Sequence, residues 1–126
     1  MSGRVAAAAW ALVVVQVVHG AIPADTSAEG NVGFYAGIVL LLASLVAAIG
    51  ASVKKPWSVP LAGWAGLVVA VGFTLYHAVP VRSPLTNPYF GEPVSALAWL
   101  GVAASIAIGL WAAYEGLVRP RQLAVP

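Results

Sequence analysis

The sequence predicts an all-α integral membrane protein, a four-transmembrane-helix antiparallel bundle, on three observations. Of 126 residues, 61% are hydrophobic and only 8% charged. Four stretches free of Asp, Glu, Lys and Arg are each long enough to cross a bilayer, and the breaks between them are built of prolines and charged residues. A soluble domain carries roughly a quarter charged residues, and six basic with four acidic side chains fall far short of that. Cysteine is absent, which removes disulfides and thiolate chemistry. No polar low-complexity run of the kind that keeps a chain disordered is present either.

Crossing about 30 Å of hydrocarbon at 1.5 Å per residue takes roughly 20 apolar residues. Residues 5–22, 32–53, 59–79 and 94–114 meet that length with 18, 22, 21 and 21 uncharged positions. Between them stand Pro23 with Asp25, Thr26 and Ser27, then Lys54, Lys55 and Pro56, then Pro80, Pro84, Pro88 and Pro93; Pro120 follows the fourth. Proline removes an amide donor and clashes with the preceding turn, so each cluster is expected to end a helix. The connections are too short to be domains, and residues 1–126 read as one four-helix unit. Lipid offers backbone amides no partners, so the spans must be helical, and short connections make sequential neighbours antiparallel.

Basic residues in short loops mark the cytoplasmic side. Arg4, Lys54, Lys55, Arg119 and Arg121 share one side of the predicted topology, while Asp25, Glu29, Arg82 and Glu92 share the other. Both termini are therefore expected in the cytoplasm, with the chain a multi-pass protein of the cell membrane. Arg4 followed by an apolar run and small residues also resembles a secretory signal peptide, but Trp10, Gln16 and His19 are unusual in such a segment.

The two pairs of spans echo one another. Residues 19–23 read His-Gly-Ala-Ile-Pro and residues 77–80 His-Ala-Val-Pro, each with a polar residue three positions before the histidine, Gln16 or Thr74, and a loop carboxylate after it, Glu29 or Glu92. Two spans per unit keep both units in one orientation, so the pattern suggests a 2+2 parallel repeat. Helix association in lipid depends on small residues that let backbones approach. Gly33 and Gly37, Ala43 and Ala47, then Ala62, Gly66 and Ala70, and finally Gly101, Ser105 and Gly109 supply such faces at four-residue spacing. Gln16 is the one long polar side chain inside a span, and its amide is expected to find a partner in another helix. Aromatic residues gather near span ends, among them Trp10, Trp57, Tyr76, Tyr89, Phe90 and Trp99, as an interfacial belt would.

His19 and His77 finish odd-numbered spans that run the same way, and so should lie at similar depth near the outer face. Asp25, Glu29 and Glu92 occupy the loops above them. Two imidazoles on facing helices can ligate haem iron axially, or bind zinc, copper or another divalent ion with the carboxylates, or exchange protons. No Cys-x-x-Cys-His, His-Glu-x-x-His or His-x-x-x-His spacing occurs. Glu115 and Arg119 have the favourable order for an i,i+4 ion pair. The loop 81–93, held by prolines at 84, 88 and 93, is expected to be stiff, with Tyr89 and Phe90 at its tip. The formal net charge of +2 offers no patch for nucleic acid.

Without a catalytic constellation, the leading expectation is a non-enzymatic protein that works by association in the bilayer, as an accessory or stabilising subunit of a larger membrane complex or as a homo-oligomer. The alternatives are an outward-facing haem or metal site on His19 and His77 serving membrane redox chemistry, and a small oligomeric transporter or channel. The last is weakened by the poverty of polar groups near mid-span.

Overall fold

The structure, a computed structural model, describes residues 3–22, 32–81, 83 and 85–123. Its helices are α1 (Gly3–Ala21), α2 (Val32–Ser52), α3 (Ser58–Phe73), α4 (Ala96–Ala113) and the short α5 (Arg119–Leu123). α3 continues into a π-helical segment at Thr74–Ala78 and α4 into another at Tyr114–Val118. No strand occurs among the described residues. Followed through these segments, four helices are long and apolar enough to cross a membrane: Gly3–Ala21, Val32–Ser52, Ser58–Ala78 and Ala96–Leu123.

The first three agree with the expected spans to within two residues. The fourth begins at Ala96 rather than 94 and runs past Tyr114, and Pro120 lies inside α5 instead of ending the helix. The preceding π-helical turn explains this. Arg119 N–H bonds to Tyr114 O across the wider ring, so the ladder has already changed pitch when it reaches a residue with no amide to donate.

α2 ends through backbone geometry rather than proline. Lys54 adopts a left-handed conformation, φ 58°, while its N–H bonds to Ala51 O at 3.1 Å and Lys55 N–H reaches back to Gly50 O at 2.8 Å. These two bonds are the Schellman arrangement, which satisfies carbonyls a helix end would otherwise leave open. α4 starts with Ser95, whose hydroxyl accepts from Ala98 N–H.

Packing is tightest between α3 and α4. A Cβ added at Gly66 would stand 2.5 Å from Gly109 O, and one at Gly109 would stand 2.7 Å from Gly66 O. Gly63 and Gly116 form a second close approach, since a Cβ on Gly116 would meet Gly63 N at 2.5 Å. α1 and α2 touch through Val5 and Ala9 against Ala47, Ala48 and Ala51, and Trp10 Nε1 donates to Ser52 Oγ at 3.0 Å. The middle of the assembly is an apolar layer of Ala8, Leu12, Ala65, Val69 and Ala112.

Candidate functional site

The chain carries its buried polar side chains at three levels. Toward one end Glu115, 4% exposed, receives two hydrogen bonds from Arg119 Nη1 at 3.0 and 3.1 Å. Between α1 and α2 Gln16 Nε2 donates to Ser44 Oγ at 2.9 Å and to its own helix at Leu12 O. Ser44 in turn donates to Leu40 O, so a short chain of bonds ties α1 to α2. At the opposite end lie the two histidines.

His19 stands near the end of α1 and His77 in the π-helical segment after α3. Their rings meet edge to face, with centres 5.2 Å apart. Three aromatic rings crowd them: Phe73 at 4.7 Å from His19 and 5.7 Å from His77, Tyr76 at 4.7 Å from His77, and Tyr89 at 4.2 Å from His77. Phe73 thus touches both imidazoles. Widened helical turns recur at functional sites because the extra residue re-aims side chains, and His77 is the buried residue of its turn.

The loop after the π-helical turn folds back onto the pair. Asn87 N–H bonds to Tyr76 O at 2.9 Å and Tyr89 N–H to His77 O at 3.1 Å, which satisfies carbonyls at the helix end. His77 Nδ1 donates to Asn87 O at 3.0 Å. A carbonyl only accepts, so Nδ1 carries a proton, and in the neutral imidazole Nε2 carries the lone pair. Ligating histidines characteristically have this arrangement, the distal N–H held by a backbone carbonyl.

His19 is different. Its Nδ1 is buried with no hydrogen-bond partner among the described residues, beside Gly101, where an added Cβ would come within 3.2 Å of it. Leaving a buried imidazole nitrogen unpaired costs about 1–3 kcal/mol.

Several expectations are revised by this geometry. Tyr89 is no loop tip: it is 3% exposed and packs with Ala98 and Val102, whereas Phe90 is exposed. A tilted ring contact with His77 accompanies this inward position. Burial pushes the Tyr89 phenol above its ordinary range, and Tyr76 adds to the effect. No group of three or more His, Asp or Glu converges among the described residues, so Glu92 does not join the histidines; its backbone N–H bonds instead to Tyr89 O. Asp25 and Glu29 lie outside the described residues. The two imidazoles are in direct ring contact, with Phe73 on their flank.

The small-residue positions divide in the same way. Gly66 and Gly109 lie in the α3–α4 crossing, Gly33 faces the Tyr76 ring, and Gly101 faces His19. Ser105 is fully buried and donates to Gly101 O. Gly37 alone of this set has open space around it. Sequence reasoning passed over Gly63, Gly116, Phe73 and Asn87; the histidine spacing to the next proline was the one local signal pointing at this end. Comparison with protein-family models, with curated proteins and with solved structures gave no match.

Proposed function

We propose that this chain is a multi-pass protein of the cell membrane, an antiparallel four-helix bundle with both termini cytoplasmic, whose functional centre is the His19–His77 pair, an outward-facing site for a metal ion serving membrane redox chemistry. The antiparallel arrangement is supported by the order of contacts: Trp10 pairs with Ser52 while Gln16 pairs with Ser44, so positions rise along α1 as they fall along α2. Insertion is supported by exposed apolar side chains along α2, including Ile38, Val39, Leu42, Val46 and Ile49, which a water-soluble surface rarely groups together. The single observation that carries the site is the pairing of an imidazole with a fixed tautomer, His77, and one with an unpartnered buried nitrogen, His19. The test is metal analysis and a visible spectrum on gently solubilised protein. Stoichiometric metal that is lost in His19→Ala and His77→Ala supports the reading, and metal content unchanged by both replacements sinks it.

Association with another membrane subunit, or with a second copy, is the second reading, and α2 favours it. Its apolar window is 17% buried, against 33–39% for the other three helices, and Gly37 leaves backbone open on it. Disulfide crosslinking from cysteines placed at Ile38 and Leu42 tests this: no crosslinked species in native membranes would remove it.

A further inference from the structure

The end of the bundle remote from the histidines carries a cleft of about 410 Å³ lined by Trp64, Leu117, Val118, Arg121 and Gln122. A backbone contact sets its two walls. A Cβ on Gly63 would stand 2.9 Å from the Gly116 carbonyl carbon, and one on Gly116 would stand 2.5 Å from Gly63 N. Trp64 and Leu117 directly follow these glycines and so share one level. Arg121 and Gln122 come four and five residues after Leu117, about 6–8 Å further toward the helix end at 1.5 Å per residue. The cleft is therefore apolar at its inner level and carries a guanidinium and an amide at its outer one.

The outer groups are free to bind. Arg119 turns back to Glu115, whereas Arg121 is exposed and makes no ion pair among the described residues. Gln122 Oε1 accepts from Tyr114 O–H at 3.2 Å, which leaves the amide nitrogen as the donor this side chain has to offer. The inner wall is open as well, since Trp64 is 57% and Val118 43% exposed. A soluble anion would meet the guanidinium and leave that wall bare. A phospholipid covers both, and its net charge decides how strongly a single basic side chain at the headgroup level attracts it.

We propose that this cleft binds one acidic phospholipid, its phosphate against Arg121 and the Gln122 amide, and an acyl chain along Trp64, Leu117 and Val118. Tryptophan favours this boundary between headgroup and chain. The inference rests on the membrane reading given above and is independent of the histidine pair.

The test is native mass spectrometry of the full chain in detergent with phosphatidylglycerol and phosphatidylcholine of identical chains at equal concentration. The expected result is one retained phosphatidylglycerol, favoured about fivefold over phosphatidylcholine, a preference lost in Arg121→Gln and kept in Arg121→Lys. Arg4→Gln, which changes an exposed basic residue outside the cleft, should leave it unchanged. The acyl half is read in vesicles holding a few per cent of chain-brominated phosphatidylglycerol, which should quench the parent more than brominated phosphatidylcholine does. That excess should vanish in Trp64→Phe. Equal retention of the two lipids, or a preference that survives Arg121→Gln, overturns the site, as does displacement of the lipid by inorganic phosphate. Alkaline extraction of native membranes separates the two levels of the argument: a chain released by it overturns the membrane reading and this site together, whereas an inserted chain without lipid preference overturns the site alone.

Discussion

The imidazoles of His19 and His77 meet edge to face, 5.2 Å between ring centres, although the whole of α2 and of α3 lies between them in the chain. Two features make the meeting. α1 stays α-helical through Ala21, while the third span widens into a π turn at Thr74 and swings His77 inward. The loop then returns through Asn87 and Tyr89 to hold it there.

The α3–α4 crossing is predicted to tolerate no side chain. Gly66→Ala would drive a Cβ to 2.5 Å from the Gly109 carbonyl, which is backbone and has little room to give. A loss of about 3 kcal/mol is expected, at the upper end of overpacking costs. Gly37→Ala meets nothing within 4 Å and should stay within about 1 kcal/mol of the parent. Unfolding in mixed micelles, followed by helicity, compares them; equal stabilities would show that the crossing is looser than described.

How much of this was legible in the sequence differs by feature. The four long apolar helices were, because a backbone expected to satisfy its own amides in lipid imposes a length and forbids charge over that length, and both can be counted. The depth of the histidines was also legible, since helical rise converts position into height. Their contact was not, because height does not determine which way a side chain faces around the axis. The π turns at Thr74 and Tyr114 have no local signature, and Tyr89 turned inward where an interfacial belt position was expected. Among 13 glycines, spacing alone singled out Gly66 and Gly109 but also Gly37, and it passed over Gly63 and Gly116.

The Gln16–Ser44 bond should be measurable as a coupling. Gln16→Leu removes both of its donations, whereas Ser44→Ala leaves Gln16 bonded to Leu12 O. A double-mutant cycle in micelles is expected to give about 0.6–1.7 kcal/mol, the range found for hydrogen bonds between helices in lipid. Additive effects of the two substitutions would show that the bond contributes nothing.

Glu115 and Arg119 are unequal partners, the carboxylate 4% exposed and the guanidinium side chain 29%. Arg119→Ala leaves a buried carboxylate without a counter-charge and is expected to cost about 2 kcal/mol, reduced from the range for a fully buried pair because Arg119 reaches solvent. Adding Glu115→Gln should recover most of that loss. Chemical unfolding of the single and double variants decides it, and a double variant no better than Arg119→Ala would contradict the account.

Tyr89 gives a pH dependence with a definite sign. Burial raises the phenol above 10.0, its value in the unfolded chain, so at high pH the unfolded state releases a proton that the folded state retains. The stability contributed by the neutral phenol is complete below pH 10 and falls as the pH rises from there through the higher folded value. The parent should therefore lose stability above pH 10 more steeply than Tyr89→Phe. Superimposable alkaline profiles would mean that the phenol titrates normally, in conflict with its burial.

Gly101 separates packing from ligand positioning. A methyl group there would stand 3.2 Å from His19 Nδ1 and 3.4 Å from the end of Ile22, so the imidazole must yield by a few tenths of an ångström while the backbone need not move. Gly101→Ala should accordingly change stability by about 1 kcal/mol or less. Displacing a ligand by that distance is expected to weaken metal binding at the histidine pair about tenfold, as losses in the shell behind a metal ligand do. Competition for the bound metal against a chelator measures the second quantity and unfolding in micelles the first. If affinity holds while stability falls, the space beside Gly101 serves only the helix crossing, and the unpartnered nitrogen of His19 must be satisfied by some group other than a metal.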